Sequence, residues 1–358
     1  MRTKLAARTR PRASVLIIAG GRGTRFWPAS REARPKPLFS IDGKQSLLAD
    51  TIARHVGAIP RERIFVLVAA AHQGPFRRAI RGLIPARNLI IEPDGRGTAV
   101  AIAYGAAVIK RRLGEGVIAA VAADHYIATG AQYRRTLADS IHLAATHDSI
   151  VAIGVPPTRP ETGYGYQKIG AKVGAGFKIE RFIEKPALPL ARRMVKSGKY
   201  LWNASMFVAS TRTLAREFAA HCPELGTAAE QLAITPRLRL ARAYRRLKFD
   251  SFDRVIMEKS AHVLGVRARF LWHDVGSWDG LLKAVASERG SVIRGNVIAL
   301  DSDDVLAHSD ARLMVLLGVR DLIVVDSGDA ILVAHREMSQ HVGRVTDELA
   351  RRGLHRYL

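Results

Sequence analysis

Residues 19–37 read AGGRGTRFWPASREARPKP and follow directly on the apolar run VLIIAG at 15–20. Gly20, Gly21 and Gly23 can take backbone angles closed to other residues, so that successive N–H groups converge on an anion, and Arg22, Arg25 and Lys36 bring formal positive charge to the same stretch. These residue types make a phosphate cradle. It is not a Walker A loop, because no Gly-Lys-Ser/Thr closes it, and not a dinucleotide fingerprint, because Phe26 stands where the third glycine belongs. A glycine turn with solvated arginines is the plainer alternative for this stretch taken alone.

Two acids stand elsewhere in positions that could complete such a site. Asp124-His125 ends the apolar run VIAAVAA, and ligands of open parallel sheets bind beyond the carboxyl ends of the strands. Asp274 lies in HDVGSWDGL at 273–281, ahead of a glycine turn. Read singly, the first is a turn residue and the second a strand-to-helix connection with Ser277 as N-cap. Read together, two separated carboxylates without a His or Cys cluster suit a hard cation such as Mg²⁺, which takes oxygen ligands and bridges to phosphates. Glycine loop, cations and a carboxylate pair then add up to transfer at a phosphate, where the protein positions reactants and offsets developing charge.

The surrounding elements follow from hydrophobic spacing. SVLIIAGG (14–21), IFVLVAA (64–70), NLIIEP (88–93) and VIAAVAADH (117–125) read as strands, separated by helical stretches at 46–59, 74–84 and 97–113. Strands apolar on both faces that alternate with helices predict a parallel sheet covered by helices, hence an α/β fold. After residue 150, IVAIGV, YGYQKIG and AGFKIERFIEKP read as short strands, and 187–247 as helical material. Beyond 290 come VIRGNVIAL, DVLAH, RLMVLLGV, DLIVVDS and DAILVAHR, then a last helix SQHVGRVTDELARRGL. A separate small C-terminal β unit is predicted there.

The 358 residues are 48% hydrophobic and 25% charged, which excludes a disordered tail and leaves room for two or three packed units. Against 32 Asp+Glu stand 13 Lys and 43 Arg, a formal +24, which calls for some anionic partner. The cations are dispersed and no helix-turn-helix, zinc-finger or RNP pattern accompanies them, so nucleic acid is not the expected partner. Only the first residues are concentrated, and residues 1–13 read as a mobile basic lead. The single Cys222 excludes an internal disulfide and fits a reducing, cytoplasmic setting. Every apolar run is shorter than the roughly 18–20 residues of a membrane span, so no membrane anchor is expected.

The glycine stretch resembles the G-G-x-G-T-R-x-W-P-x-S-R-x-x-x-P-K block of sugar-phosphate nucleotidylyltransferases, specifically the mannose-1-phosphate guanylyltransferase family. Further blocks follow in the family's order: IEPDGRGTAVAIAYGA, AADH, TGYGYQKIG, FIEKP, YLWNASMFV, FDSFDRVIMEKS and HDVGSW. Together they cover about residues 14–335.

The resemblance implies transfer of GMP from GTP to mannose 1-phosphate, giving GDP-mannose and pyrophosphate. It implies a Rossmann-like nucleotidyltransferase domain at 14–288 with a mixed or parallel sheet, and a C-terminal left-handed β-helix with terminal helix at 289–358. Gly20, Gly21, Arg22, Gly23, Thr24, Arg25, Lys36 and Asp124 would bind the nucleotide, with Arg25 facing the departing pyrophosphate and Lys36 the α-phosphate or sugar phosphate. Asp124 and Asp274 would hold Mg²⁺. Gly165, Glu184 and Asn203 would contact the hexose and Lys185 its phosphate. A homodimer through the C-terminal unit is implied as well, and the chain ends too early for the isomerase domain of bifunctional relatives.

This chain departs from the family pattern at Gly97, where an Asn is usual, at Ala204-Ser205 for Ser-Gly, at Ala122-Ala123 for Pro-Ser, and at Pro37 for Gln. None removes a charged group, so the reaction type stands, and the departures bear on base and sugar preference. The same chemistry with another sugar or base is the alternative within the enzyme class. An inactive transferase fold that binds nucleic acid is the alternative outside it.

Overall fold

The computed structural model describes residues 11–21, 23–40, 45–128, 130–248, 250–285 and 290–358. Its first part repeats strand and helix: β1 (Ala13–Ile18), α1 (Leu47–His55), β2 (Ile64–Ala69), α2 (Gln73–Ala79), β3 (Leu89–Glu92), α3 (Thr98–Leu113) and β4 (Val117–Ala122). Next come β5 (Tyr126–Ile127), α4 (Gly130–Thr146), β6 (Ile150–Val155), β7 (Tyr166–Val173), β8 (Gly176–Ile183), α5 (Leu188–Ser197) and β9 (Tyr200–Ser210). Three helices, α6 (Thr211–His221), α7 (Pro223–Ile234) and α8 (Arg237–Tyr244), lead to β10 (Val263–Arg267), β11 (Trp272–His273) and α9 (Trp278–Val285).

Nine strands form one sheet in the order β3-β2-β1-β4-β9-β6-β10-β8-β7. On β1 the side chains alternate between two cores: Val15 and Ile17 join α1 and α4 on one face, and Leu16 joins α3, α6 and α7 on the other. Both faces are therefore covered, as the apolar strand runs require.

Parallel pairing runs through β3, β2, β1 and β4; beyond them the sheet is mixed, because β9 enters antiparallel to both β4 and β6 while β6 and β10 pair in parallel. Strand β9 also corrects the reading of 187–247 as helical. YLWNASMFVAS is buried on both faces over nearly its whole length, so it shows no polar alternation, and short helices flank it.

At the C-terminus β12 (Val292–Leu300), β13 (Leu306–Leu317) and β14 (Leu322–Asp326) stack in parallel, and β15 (Ile331–His335) folds back on β14. Residues 292–295, 306–309 and 323–326 form successive rungs, and after a register shift 297–300 pair with 314–317. This is a β-helix-like unit. DVLAH and RLMVLLGV, expected as separate runs, belong to the single strand β13. The final helix, α10 (Gly343–Arg351), begins later than its sequence suggests, after a 3-10 stretch at Arg336–His341. A third core joins this unit to the part built on the nine-stranded sheet: Phe26, Trp27 and Phe39 pack with Val275 and Trp278 and with Leu306, Ile323 and Val342.

Candidate active site

Apart from Arg22, which lies outside the described residues, the residues singled out from sequence fall into two groups, one beyond the carboxyl ends of β1 and β4 and one at β7, β8 and β9. Gly20 and Gly21 are exposed after β1, Gly21 with φ 115°, and Gly23 takes φ 60° at the start of a 3-10 turn over Thr24–Phe26. A Cβ on Gly23 would fall 2.5 Å from Ser30 Oγ and 2.9 Å from Lys36 Cβ, so the loop closes only around a glycine. Phe26 is not a misplaced glycine but an anchor, its ring 4.9 Å from that of the buried Trp278.

Asp124 and Asp274 are brought together by a small ribbon in which β11 pairs with β5, Trp272 opposite Ile127 and His273 opposite Tyr126. Each acid lies close to this ribbon in the chain. Lys36, 6% exposed, reaches both: its Nζ donates to Asp124 Oδ2 at 2.7 Å and to the main-chain oxygen of Asp274 at 3.4 Å. Burial opposes ionisation of Asp124, but the Lys36 ammonium outweighs it and holds the carboxyl below its usual range. Asp274 Oδ1 accepts from Gly276 N at 3.0 Å, and the β-branched Val275 between them takes φ 46°, a left-handed conformation imposed by the turn. His125 is buried and its Nδ1 accepts from Trp272 Nε1 at 3.2 Å. Burial pushes its pKa down, so it serves as a neutral packing group.

The oxygen donors fit a hard divalent cation. The Asp124 carboxylate already takes a cationic ammonium, and among the described residues no group of three His, Cys, Asp or Glu forms a complete cage, so phosphate oxygens and water would finish the shell.

The second cluster sits where β7, β8 and β9 meet. Tyr166 pairs with Ile183 and with Trp202, which places Gly165, Glu184 and Asn203 side by side. A Cβ on Gly165 would lie 2.7 Å from Glu184 Oε2 and 3.3 Å from Asn203 Cβ, so the glycine makes room for both polar side chains. Lys185 takes φ 47° and its ammonium stands 3.4 Å from Glu184 Oε1.

Sequence reasoning missed four residues that the fold places here. Asp253 accepts from Asn203 Nδ2 at 2.7 Å, and burial, with the Glu184 carboxylate beside it, pushes its carboxyl up to about 7. Tyr164 stands between the two clusters: its phenol is raised well above its usual range by burial, with the Asp274 carboxylate adding to the effect, its carbonyl accepts from Lys185 N, and its ring meets Trp202 and Trp272 edge-on at 5.4 Å each. Glu92, at the end of β3, lies under the loop with Oε1 4.0 Å from a Cβ built on Gly20; burial raises it to about 7, and Tyr244 donates to it. Gln340 comes from the C-terminal unit and accepts from Arg25 Nη1 at 2.7 Å. Asp253, Tyr164 and Glu92 were within reach, since FDSFDRVIMEKS, TGYGYQKIG and IEP were already in view; nothing near Gln340 gave a sign.

The nucleotidyl transferase family profile matches residues 14–290, and the MannoseP isomerase/GMP-like β-helix domain matches 295–349. The mannose-1-phosphate guanylyltransferase of Escherichia coli strain K12 is 33% identical, over 96% of this chain and 74% of its own length. The Xanthan biosynthesis protein XanB of Xanthomonas campestris pv. campestris strain B100 is 34% identical, over 94% of this chain and 73% of its own. A crystal structure from Thermus thermophilus, described as a mannose-1-phosphate geranyltransferase, superposes with TM-score 0.87 at 34% identity, covering 95% of this chain and 99% of that one.

Proposed function

The chain belongs to the nucleotidyl transferase family, and from that membership we propose that it transfers GMP from GTP to α-D-mannose 1-phosphate, yielding GDP-mannose and pyrophosphate. The observation that carries this reading is the meeting of Lys36, Asp124 and Asp274 beside an exposed glycine loop, with Tyr164 standing between it and the Gly165, Glu184 and Asn203 cluster.

In this reading a sugar-phosphate oxygen attacks the α-phosphorus of GTP, the bond from that phosphorus to the bridging oxygen breaks, and pyrophosphate leaves with the bonding pair. Loop N–H groups of Gly20, Gly21, Gly23 and Thr24 hold the triphosphate, and Arg25 offsets charge on the leaving pyrophosphate. Lys36 faces the α-phosphate from a nearly dry site, where a fixed cation acts more strongly than in water. Glu184 and Asn203 receive sugar hydroxyls. Burial raises the Glu184 carboxyl, so a hydroxyl donor relieves part of its desolvation. Lys185 turns from Glu184 to the sugar phosphate. A divalent cation, Mg²⁺ by the hardness of its donors, would be held by Asp124 and Asp274 and would neutralise phosphate charge there.

We read residues 14–288 as the catalytic domain and 289–358 as a bracing β unit, working in the cytoplasm. A homodimer is supported by an exposed apolar row on one face of β12 and β13: Ile298 and Leu300 opposite Val315 and Leu317, with Leu313 alongside. A single-chain mass by light scattering at micromolar concentration would end that part of the reading. The function itself is tested by a matrix of four nucleoside triphosphates against several sugar 1-phosphates with Mg²⁺. The highest kcat/KM should fall on GTP with mannose 1-phosphate, and a clear preference for another pair would replace this assignment.

A further inference from the structure

Gln340 stands in the 3-10 stretch of the C-terminal unit, 315 residues from Arg25 in sequence, yet its amide links two parts of the catalytic region. Oε1 accepts from Arg25 Nη1 at 2.7 Å, while Nε2 donates to Ser277 Oγ at 3.1 Å. Ser277 in turn caps α9, its Oγ accepting from Gly280 N at 3.2 Å, and it follows Gly276, whose N–H donates to Asp274. One uncharged group thus connects the cation of the glycine loop to the turn that carries an acid of the candidate metal site.

Its own position is well fixed. Next to it Ser339 Oγ accepts from Asp279 N at 2.9 Å, a Cβ on Gly343 would lie 3.2 Å from Thr24 Oγ1, and Trp27 Nε1 donates to the carbonyl of Tyr357 at 2.8 Å. The choice of an amide matters electrically. Among the described residues no carboxylate pairs with Arg25, so its acceptor directs the guanidinium without cancelling its charge. A carboxylate in the same place would hold Arg25 more firmly and neutralise it.

We propose that Gln340 is a positioning residue for the transfer reaction: the C-terminal β unit uses a neutral acceptor to aim Arg25 across the glycine loop with its charge kept for the departing pyrophosphate. The inference rests on the transfer reading above, and it makes the C-terminal unit part of the working site, not merely a support.

The test is steady-state kinetics and calorimetric Mg²⁺–GTP affinity for Q340A, Q340M and Q340E, each made in the wild-type and the R25A chain, with melting temperatures alongside. Q340A and Q340M should each lower kcat/KM for GTP about fivefold, the worth of one hydrogen bond, with KM for mannose 1-phosphate unchanged. Q340E should be worse, about thirtyfold, because its charge is spent against Arg25. In the R25A chain all three should change the rate less than about twofold, since the group they act through is gone. Losses that persist in the R25A chain, or a Q340E as active as wild type, would overturn the proposal. If Q340E does not fold, Q340A and Q340M decide by the same comparison. If the wild-type chain transfers nothing, the functional reading fails on its own; Mg²⁺–GTP affinity then judges Gln340, and absence of an Arg25-dependent weakening overturns it.

Discussion

Lys36 and Asp124 form a 2.7 Å ion pair in which the lysine side chain is 7% exposed and the aspartate 29%. The pair is therefore asymmetric: the cation is enclosed, with its ammonium 5.1 Å from the centre of the Phe26 ring, while the carboxylate keeps an open side. A buried charge persists only with a partner; Lys36 helps hold the Asp124 carboxyl below its usual range, and the open side of Asp124 remains available to a second cation.

Loss of either acid should therefore stop chemistry before it harms the fold. Asp124→Asn and Asp274→Asn should each lower kcat by a factor on the order of 10² to 10³, the usual cost of removing one group that offsets transition-state charge. Melting curves should stay close to wild type for Asp274→Asn and fall modestly for Asp124→Asn, which leaves the Lys36 ammonium without its carboxylate. Near-normal turnover in both would remove these residues from the metal site.

Asp253 makes a stability prediction with a definite sign. Its carboxyl is raised to about 7 in the folded chain, so between the unfolded carboxyl range and pH 7 the folded state binds a proton that the unfolded state has released. The wild-type protein is then destabilised as pH rises from about 4 to 7, and no further by this group above that. Asp253→Asn keeps an oxygen to accept from Asn203 and removes the titration, so its stability relative to wild type should climb across that interval and level off. Urea unfolding at pH 5, 6, 7 and 8 measures this; a flat difference would contradict the environment described for Asp253.

Two departures from the family pattern make opposite predictions. Ser205 takes φ 50° where the family's glycine would be free to do so. Relief of about 1–2 kcal/mol of left-handed strain, less about 0.4–1 kcal/mol of added unfolded-state entropy, leaves Ser205→Gly with a net gain of about 0.8 kcal/mol. Gly97 has φ 88°, and a Cβ there would stand 2.3 Å from the Asp250 carbonyl oxygen, so the family's Asn does not fit this backbone. Gly97→Asn should cost at least about 2 kcal/mol. Chemical denaturation of the two variants checks both signs, and a tolerated Gly97→Asn would show that the loop at Asp250 yields easily.

What could be read from the chain ahead of its structure follows physical range. The glycine loop and Asp124 stood out because each follows an apolar run, and the order of family-like blocks added Lys36 and Asp274; the fold sets Lys36 against the Asp124 carboxylate and the Asp274 main chain. The strands β1 to β4 were legible because local hydrophobicity dictates them. β9 was not, since a strand buried on both faces has no alternation to betray it. Gln340 acquires a role only through a contact spanning 315 residues, a distance over which no local pattern speaks, whereas Asp253 lay inside a recognised block and lacked only its partner Asn203, 50 residues away.

The most direct measurement of the central claim is pyrophosphate release by the purified chain with GTP, mannose 1-phosphate and Mg²⁺, run beside Asp274→Asn. The account predicts pyrophosphate and GDP-mannose in equal amounts from the wild-type chain, dependence on both substrates, and near-complete loss in the variant. Absence of pyrophosphate with every hexose 1-phosphate tried, or release from GTP alone at the same rate, would contradict it.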